Sequence, residues 1–389
     1  ETRNAVTSNW AGTASNSATI GIAGQLVLYA GGSRIMQFDA ARESILAARA
    51  GLVGVEQDVL LRGVQAFMEV RRAIETVALR NNNVRVIREE LRAARDRFEV
   101  GEVTRTDVAA AEARLAAATS ALAAAQGQLA IAREEYVAAI GHAPDNLVAP
   151  GSLPRLPTNL VDAKSRAVRT HPQMISLQHQ VTVSEIAIQI AEASTRPTVT
   201  ARTSYGLTES FDSAAGTRGG SISLEASGPI YRGGELTSLK RQAMANRDSV
   251  RAQLFQLGQS IEQAVGNAYA QLRVYQASRS ATEQQVRAAQ VAFNGIREEA
   301  TLGARTTLDV LDAEQELLDA RGALISAQVD ETIAAYLALS ALGMLTADAL
   351  QLDVPRYDPK EYYNLVKTAP PPSKQGDDLD RVLRALGKK

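Results

Sequence analysis

The sequence predicts an internally duplicated α+β protein made of short alternating strands and very long helices. Three observations carry that expectation. Residues near Gly101 return 202 positions later near Gly303, and the offset holds over most of the 389 residues. Stretches of about ten residues alternate apolar and polar side chains, the period of a strand with two unlike faces. Two long segments, Ser33 to Val100 and Glu235 to Leu302, contain no proline and only isolated glycines. A duplication of about 200 residues without drift in register points to two pseudo-equivalent halves of one architecture, not to a short-period solenoid.

The repeat begins in the strands. Leu28-Tyr29-Ala30-Gly31-Gly32 returns as Ile230-Tyr231-Arg232-Gly233-Gly234. Ile20, Ile22, Leu26 and Leu28 alternate with Gly21, Ala23, Gln25 and Val27; in the second half Ile222, Leu224, Ala226 and Ile230 alternate with Ser221, Ser223, Glu225 and Ser227. Upstream of the second set, Val199, Ala201, Tyr205 and Leu207 alternate with Thr200, Arg202, Ser204 and Gly206. This pattern fits a half-exposed sheet in water and, equally, a strand with lipid on one side and water on the other. The Ser/Gly-rich segment Glu209 to Gly220 reads as the loop between two strands, with Asn9 to Ser17 as its shorter counterpart.

Each strand set leads into a long helix, about 100 Å if continuous at 1.5 Å per residue. Such length signals a coiled coil or a helical conduit. A returning helix follows each key glycine. Its heptad places Leu115, Leu122, Leu129 and Tyr136 in one position and Ala111, Ala118, Ala125 and Ala132 in the other. The second half shows Leu317 and Leu324 with Ala313, Ala320 and Ala327, and loses the pattern at Glu331. A leucine/alanine seam of this period specifies left-handed supercoiling, and small alanines allow close helix approach. Gly101 and Gly303 suit the left-handed residue that ends a helix. Thr104 with Asp107, and Thr306 with Asp309, fit capping boxes at the start of the return.

Residues 160 to 195 form a further helical stretch broken at His171-Pro172. It has no counterpart before residue 1, where the repeat predicts roughly 45 to 50 further residues. The chain opens directly in β-like sequence, so a processed or trimmed N-terminus is expected. The tail from Pro355 is polar and proline-rich and is expected to be extended or partly disordered.

Composition excludes several classes. Net charge is −1, so no global field marks a nucleic-acid binder. There is no cysteine, which removes disulfides, thiol catalysis and thiolate metal sites. No unbroken run of 18 apolar residues exists, so no transmembrane helix is expected, though a β-barrel escapes that test. His142, His171 and His179 are the only histidines, and the last two are eight apart, too far for an adjacent-turn chelate. Gly216 to Gly220 lacks the lysine and helix start of a phosphate loop. Arg71, Arg72 and the arginines between Arg92 and Arg97 read as a solvated helix face. No catalytic set, metal site or cofactor is expected.

The duplicated order of strands, long helix, turn and returning helix resembles the TolC-type outer-membrane efflux protein family. The most specific residues are Val100-Gly101-Glu102-Val103-Thr104-Arg105-Thr106-Asp107-Val108 and Leu302-Gly303-Ala304-Arg305-Thr306-Thr307-Leu308-Asp309-Val310-Leu311-Asp312-Ala313. Pro229 to Gly234 resembles the family's strand-to-helix transition, and His171-Pro172 is a familiar feature there. The resemblance implies an α+β membrane protein. It would be a homotrimer giving four strands per protomer to a twelve-stranded outer-membrane β-barrel, continued by a long α-helical coiled-coil periplasmic tunnel. Four strands cannot close a barrel alone, and open edges are not tolerated in lipid. The implied layout is a first barrel hairpin over 1–32, a helical hairpin over 33–150, and helices leading back to the barrel over 151–197. A second barrel hairpin over 198–234, a second helical hairpin over 235–350 and a tail over 351–389 complete it.

The implied function is a passive exit duct of an efflux pump or type I secretion system in the outer membrane of a Gram-negative bacterium. Its partners would be outer-membrane lipid, a periplasmic adaptor (membrane fusion protein) and an inner-membrane pump, with no nucleic acid. A coiled-coil adaptor or structural protein without a barrel is the alternative. By family correspondence Asp309 and Asp312 would form a carboxylate ring at the tunnel entrance. Arg305, Asp107 and Thr106 would hold that entrance shut. Val100, Gly101, Glu102, Leu302, Gly303 and Ala304 would be the tip that meets the adaptor. From the residues alone, Asp309 is a helix cap, Asp312 a solvated acid, Arg305 an exposed tip arginine and the glycines simple turn formers. One departure stands out: a tyrosine often found three residues before the second glycine is Ala300 here.

Overall fold

The computed structural model describes residues 17–145, 147–148, 150–210 and 216–354, together with 361, 363, 364, 378, 381 and 382. In chain order it contains β1 (Ser17–Ala30), α1 (Ser33–Glu99), α2 (Arg105–Ile140), α3 (Leu160–Thr170), α4 (Pro172–Ala193), β2 (Thr198–Ser210), β3 (Thr217–Ser227), α5 (Glu235–Thr301) and α6 (Thr307–Ala341). Helices α1 and α5 are each 67 residues long. The expected strand before β1 and most of the tail lie outside the described residues. Two compact units emerge: residues 1–47 with 177–254, and residues 48–176 with 255–389.

The first unit carries an antiparallel sheet in the order β1-β2-β3. Ile22 faces Tyr205, and Leu26 faces Ala201, which in turn faces Leu224. Directly opposed residues share a face, so Ile20, Ile22, Leu26, Tyr205, Leu207, Ile222 and Leu224 form one apolar surface. It is uncovered: Ile22 is 81% exposed and Ile222 is 89% exposed. The other face is polar. There Thr19 and Thr208 hydroxyls lie 3.0 Å apart, Ser204 and Ser221 hydroxyls 2.9 Å apart, and Arg202 pairs with Glu225 at 3.1 Å. The strands outrun the sequence expectation. Glu209, Ser210 and Thr217 to Gly220, expected in a loop, are in β2 and β3, and Ser17, also expected in a loop, starts β1. Ladder hydrogen bonds override the turn-like composition there. Conversely β3 stops at Ser227, before the expected Ile230; Pro229 has no N–H to donate to a ladder.

The second unit is built on helix faces. In α2, Ala111 and Ala118 are buried against Val84, Ile87 and Leu91 of α1 and Leu311 of α6, with Leu115 and Leu122 flanking them. Further along, Ala132 and Tyr136 pack on Ala66, Val70 and Ala73 of α1. The second half repeats this. Val310, Ala313, Leu317 and Ala320 of α6 pack on Ala289, Phe293 and Ala300 of α5. Alanine at the contact brings the backbones close.

The halves are not equivalent in environment. Helix α2 buries only Ala111, Ala118, Ala132 and Tyr136, whereas α6 is buried on several faces, from Thr307 to Leu339. Helix α2 is also long and apolar enough by composition to cross a membrane, with 17% of that stretch buried. This differs from the expectation of no such helix, because closely spaced alanines raise the average without any unbroken apolar run. Its capping box and its alanine contacts with α1 are those of a packing helix.

The heptad break at Glu331 is an ion pair between a buried carboxylate and an exposed arginine. Arg279 donates to Glu331 at 2.8 Å, and the Glu331 side chain is 8% exposed. A second polar insertion sits higher in α6. Glu314, 5% exposed, accepts from Asn83 of α1 at 3.3 Å, and Asn83 is itself 2% exposed. Burial pushes the Glu314 carboxyl above its ordinary value of 4.5, and nearby Glu90 adds to the rise, while Asn83, Arg321 and Arg297 oppose it. A carboxyl raised on folding holds its proton more tightly in the native state. Its contribution is therefore favourable at low pH and is lost as pH climbs from 4.5 through the native value. Glutamine mimics the protonated acid and keeps an oxygen for Asn83. Glu314→Gln is expected to raise the thermal midpoint at pH 7 and to leave it unchanged at pH 4, read by circular dichroism in detergent. A lower midpoint at pH 7 would mean that the ionised carboxylate is satisfied there.

Candidate functional site: the paired helix tips

Two turns at the end of the second unit carry every residue singled out by the sequence. Gly101 has φ +81° and Gly303 has φ +77°, the left-handed region that closes a helix. Both closures use the same bonds. Glu102 N–H reaches Arg97 O at 2.9 Å and Gly101 N–H reaches Phe98 O at 3.0 Å; Ala304 N–H reaches Glu299 O at 2.9 Å and Gly303 N–H reaches Ala300 O at 3.2 Å. The capping boxes follow as expected. Thr104 N–H donates to Asp107 Oδ2 at 2.8 Å, and Asp107 N–H donates back to Thr104 Oγ1 at 3.3 Å. Thr306 and Asp309 repeat this at 2.9 and 3.2 Å.

These caps hold both carboxylates ionised. Bonds from the backbone and hydroxyl of Thr104 keep Asp107 below the usual carboxylate range. Thr306 does the same for Asp309, with a smaller contribution from Arg305. The two tips border one groove of about 650 Å³, lined by Arg97, Glu102, Asp107, Gly303, Arg305 and Asp309 among others. Val100, Gly101, Glu102, Leu302, Gly303 and Ala304 are all exposed, Leu302 at 85%. Thr106 is exposed on the first turn of α2.

Two contacts were not legible in the sequence. Arg305 Nε donates to Glu299 Oε2 at 2.8 Å, within its own hairpin, so in one protomer neither Arg305 nor Asp107 bonds the other. Asp312 is not a free acid: Arg114 of α2 donates to its Oδ1 at 2.5 Å. Beneath the groove, Thr307 is buried with a hydroxyl lacking a partner, beside buried Ala300 in a cavity of about 120 Å³. Among the described residues no cluster of three or more His, Asp or Glu is placed to hold a metal ion.

A duplicated pair of helical hairpins in a chain that also carries an amphipathic sheet has relatives among known proteins. A family model described as outer membrane efflux protein matches residues 2–142 and 164–343. The chain belongs to the outer membrane efflux protein family. The TolC-type resemblance in the turn motifs is therefore one of kinship, and this efflux-family chain is an outer-membrane protein. It is 35% identical over 357 residues to the outer membrane efflux protein BepC of Brucella suis, covering 90% of this chain and 77% of that one. To the outer membrane protein TolC of Escherichia coli it is 25% identical over 311 residues, 76% of this chain. There the match spans 63% of the relative, just under two thirds of its length. The open-state structure of the MtrE outer membrane channel of Neisseria gonorrhoeae shares the fold, with a TM-score of 0.71 at 21% identity over 86% of this chain and 82% of that one.

Proposed function

We propose that three copies of this efflux-family chain close one twelve-stranded barrel and one helical tunnel, forming the exit duct of an efflux pump or type I secretion system. The observation that carries this reading is the sheet with an uncovered apolar face and a hydrogen-bonded polar face. In lipid such a sheet has to close, because an unpaired strand edge leaves backbone donors unsatisfied. Three described strands per chain and a fourth expected from the residues before β1 give the twelve. The protein conducts and does no chemistry; a pump supplies the energy, and a periplasmic adaptor joins pump to duct at the helix tips.

Within this reading the exposed tips Val100 to Glu102 and Leu302 to Ala304 meet the adaptor, and Asp309 and Asp312 line the entrance. Arg305, Asp107 and Thr106 hold the entrance shut by contacts between protomers. Arg305 is exposed and Asp107 half-buried, and each is bonded to its own turn on one side, which leaves the other side available to a neighbour. Purified in detergent and placed in planar bilayers, the protein is expected to run as a trimer and to form small-conductance channels. Arg305→Ala raises the single-channel conductance severalfold. Asp107→Ala does so too, with an added loss of about 1 kcal/mol from the broken cap. Unchanged conductance in both variants removes the gate. A monomer that stays dissolved without detergent removes the duct.

A further inference from the structure

We propose that Arg114 sets the charge of the tunnel entrance by neutralising Asp312 from within the same protomer. The inference rests on the entrance reading of Asp309 and Asp312 and alters what that entrance presents. The sequence duplication makes the pair visible. At the offset of 202, Asp309 corresponds to Asp107, but Asp312 corresponds to Ala110 and Arg114 to Glu316. Neither half carries both members of the pair at equivalent positions. The contact exists only because the copies have diverged in complementary ways, with the acid kept on α6 and the base placed on α2.

The geometry is specific. Arg114 Nη2 lies 2.5 Å from Asp312 Oδ1, and the two side chains are 38% and 59% exposed. Arg114 shares α2 with Ala111 and Ala118, which are buried against Leu311, the residue before Asp312. The small residues bring α2 against α6, so the guanidinium needs little further ordering to reach the carboxylate. Asp309 has no such countercharge at bonding distance: its Oδ2 is taken by the Thr306 cap, and Arg305 is bonded to Glu299. Asp309, Asp312 and Arg114 together therefore carry one negative charge per protomer, where the acids alone would carry two. A trimeric entrance then presents three net negative charges in place of six. It attracts cations more weakly and resists plugging by multivalent cations. Arg114 is a specificity-determining residue of the duct; its contribution to stability is small, as for other exposed pairs.

The test is cation selectivity in planar bilayers, measured as the K⁺/Cl⁻ permeability ratio from reversal potentials across a low-salt gradient, together with block by La³⁺ added on the tip side. Arg114→Gln is expected to raise the permeability ratio about threefold and to strengthen La³⁺ block, both effects shrinking as salt rises. Arg114→Lys keeps wild-type values. The decisive variant is the double Arg114→Gln/Asp312→Asn, which lacks the bridge but has the wild-type net charge. It returns the ratio to that of the wild type, which no purely structural role of the bridge accounts for. Trimer melting is followed alongside and is expected to change little in every variant. If Asp309→Asn lowers the ratio while Arg114→Gln leaves it unchanged, the assignment of Arg114 is overturned and the entrance reading survives. If neither Asp309→Asn nor Asp312→Asn changes selectivity or block, the carboxylates do not line the entrance and both proposals fall.

Discussion

Ile22→Lys is expected to abolish assembly into the outer membrane, while Ser221→Lys on the opposite face of the same sheet is tolerated. The register decides which residues matter. Ile22 lies opposite Tyr205, on the surface shared with Leu26, Leu207, Ile222 and Leu224, whereas Ser221 lies opposite Ser204 among hydroxyls and the Arg202–Glu225 pair. A lysine on the lipid face of a barrel costs roughly 2–4 kcal/mol at the bilayer midplane and far less near its edges. In the proposed trimeric barrel that cost is incurred three times over. Membrane fractionation and the yield of detergent-resistant trimer read the outcome. Normal assembly of Ile22→Lys with failure of Ser221→Lys would invert the sheet, placing the hydroxyl face toward lipid.

What could be read from the sequence was what is encoded locally. Alternation marked β1, β2 and β3 because a strand face is written at every second residue. The capping boxes at Thr104–Asp107 and Thr306–Asp309 were visible because donor and acceptor lie three residues apart. Pairing was not visible. Nothing in Ile20 to Leu28 says that its neighbour is the strand holding Ala201 and Tyr205 rather than only its own hairpin partner. Strand ends shifted for the same reason, since the ladder carried glycine-rich residues that composition assigned to a loop. At the tips, the residues came from the turn motif, but their partners did not. Glu299 for Arg305 and Arg114 for Asp312 depend on how hairpins close and helices abut, and only the divergence of the repeat at Ala110 and Glu316 hinted at the second. Glu331 looked like the end of a heptad because a charged side chain reads as exposed until its partner, Arg279, is known.

The second large effect is expected at the turns. Gly101→Val combined with Gly303→Val eliminates export while leaving the trimer intact. At φ of +81° and +77° a residue with a side chain is strained by about 1–2 kcal/mol, and a β-branched one more. Open space surrounds both glycines, with no atom within 4 Å of an added Cβ, so the damage is not a clash inside the protomer. It acts on the turn's path, which loses the bonds from Glu102 to Arg97 and from Ala304 to Glu299 as the backbone leaves the left-handed region. The buried contacts begin close behind the turns, at Leu91 with Val108 and Ala111 between α1 and α2 and at Ala300 with Val310 between α5 and α6, and they continue well away from the tips through Val84 and Ala118 and through Phe293, Ala289, Leu317 and Ala320. Helix packing therefore survives a change confined to the tips. The emptiness around the glycines also means that any loss of export reports on what approaches from outside. Tenfold weaker docking requires only about 1.4 kcal/mol, within reach of the strain at either turn. Export of a dye or secreted substrate in cells lacking the native duct separates the cases, with trimer yield as the control. Full export by the double variant would mean that the adaptor grips some surface other than the tips, and the exposed backbone at Gly101 and Gly303 would then serve the turn alone.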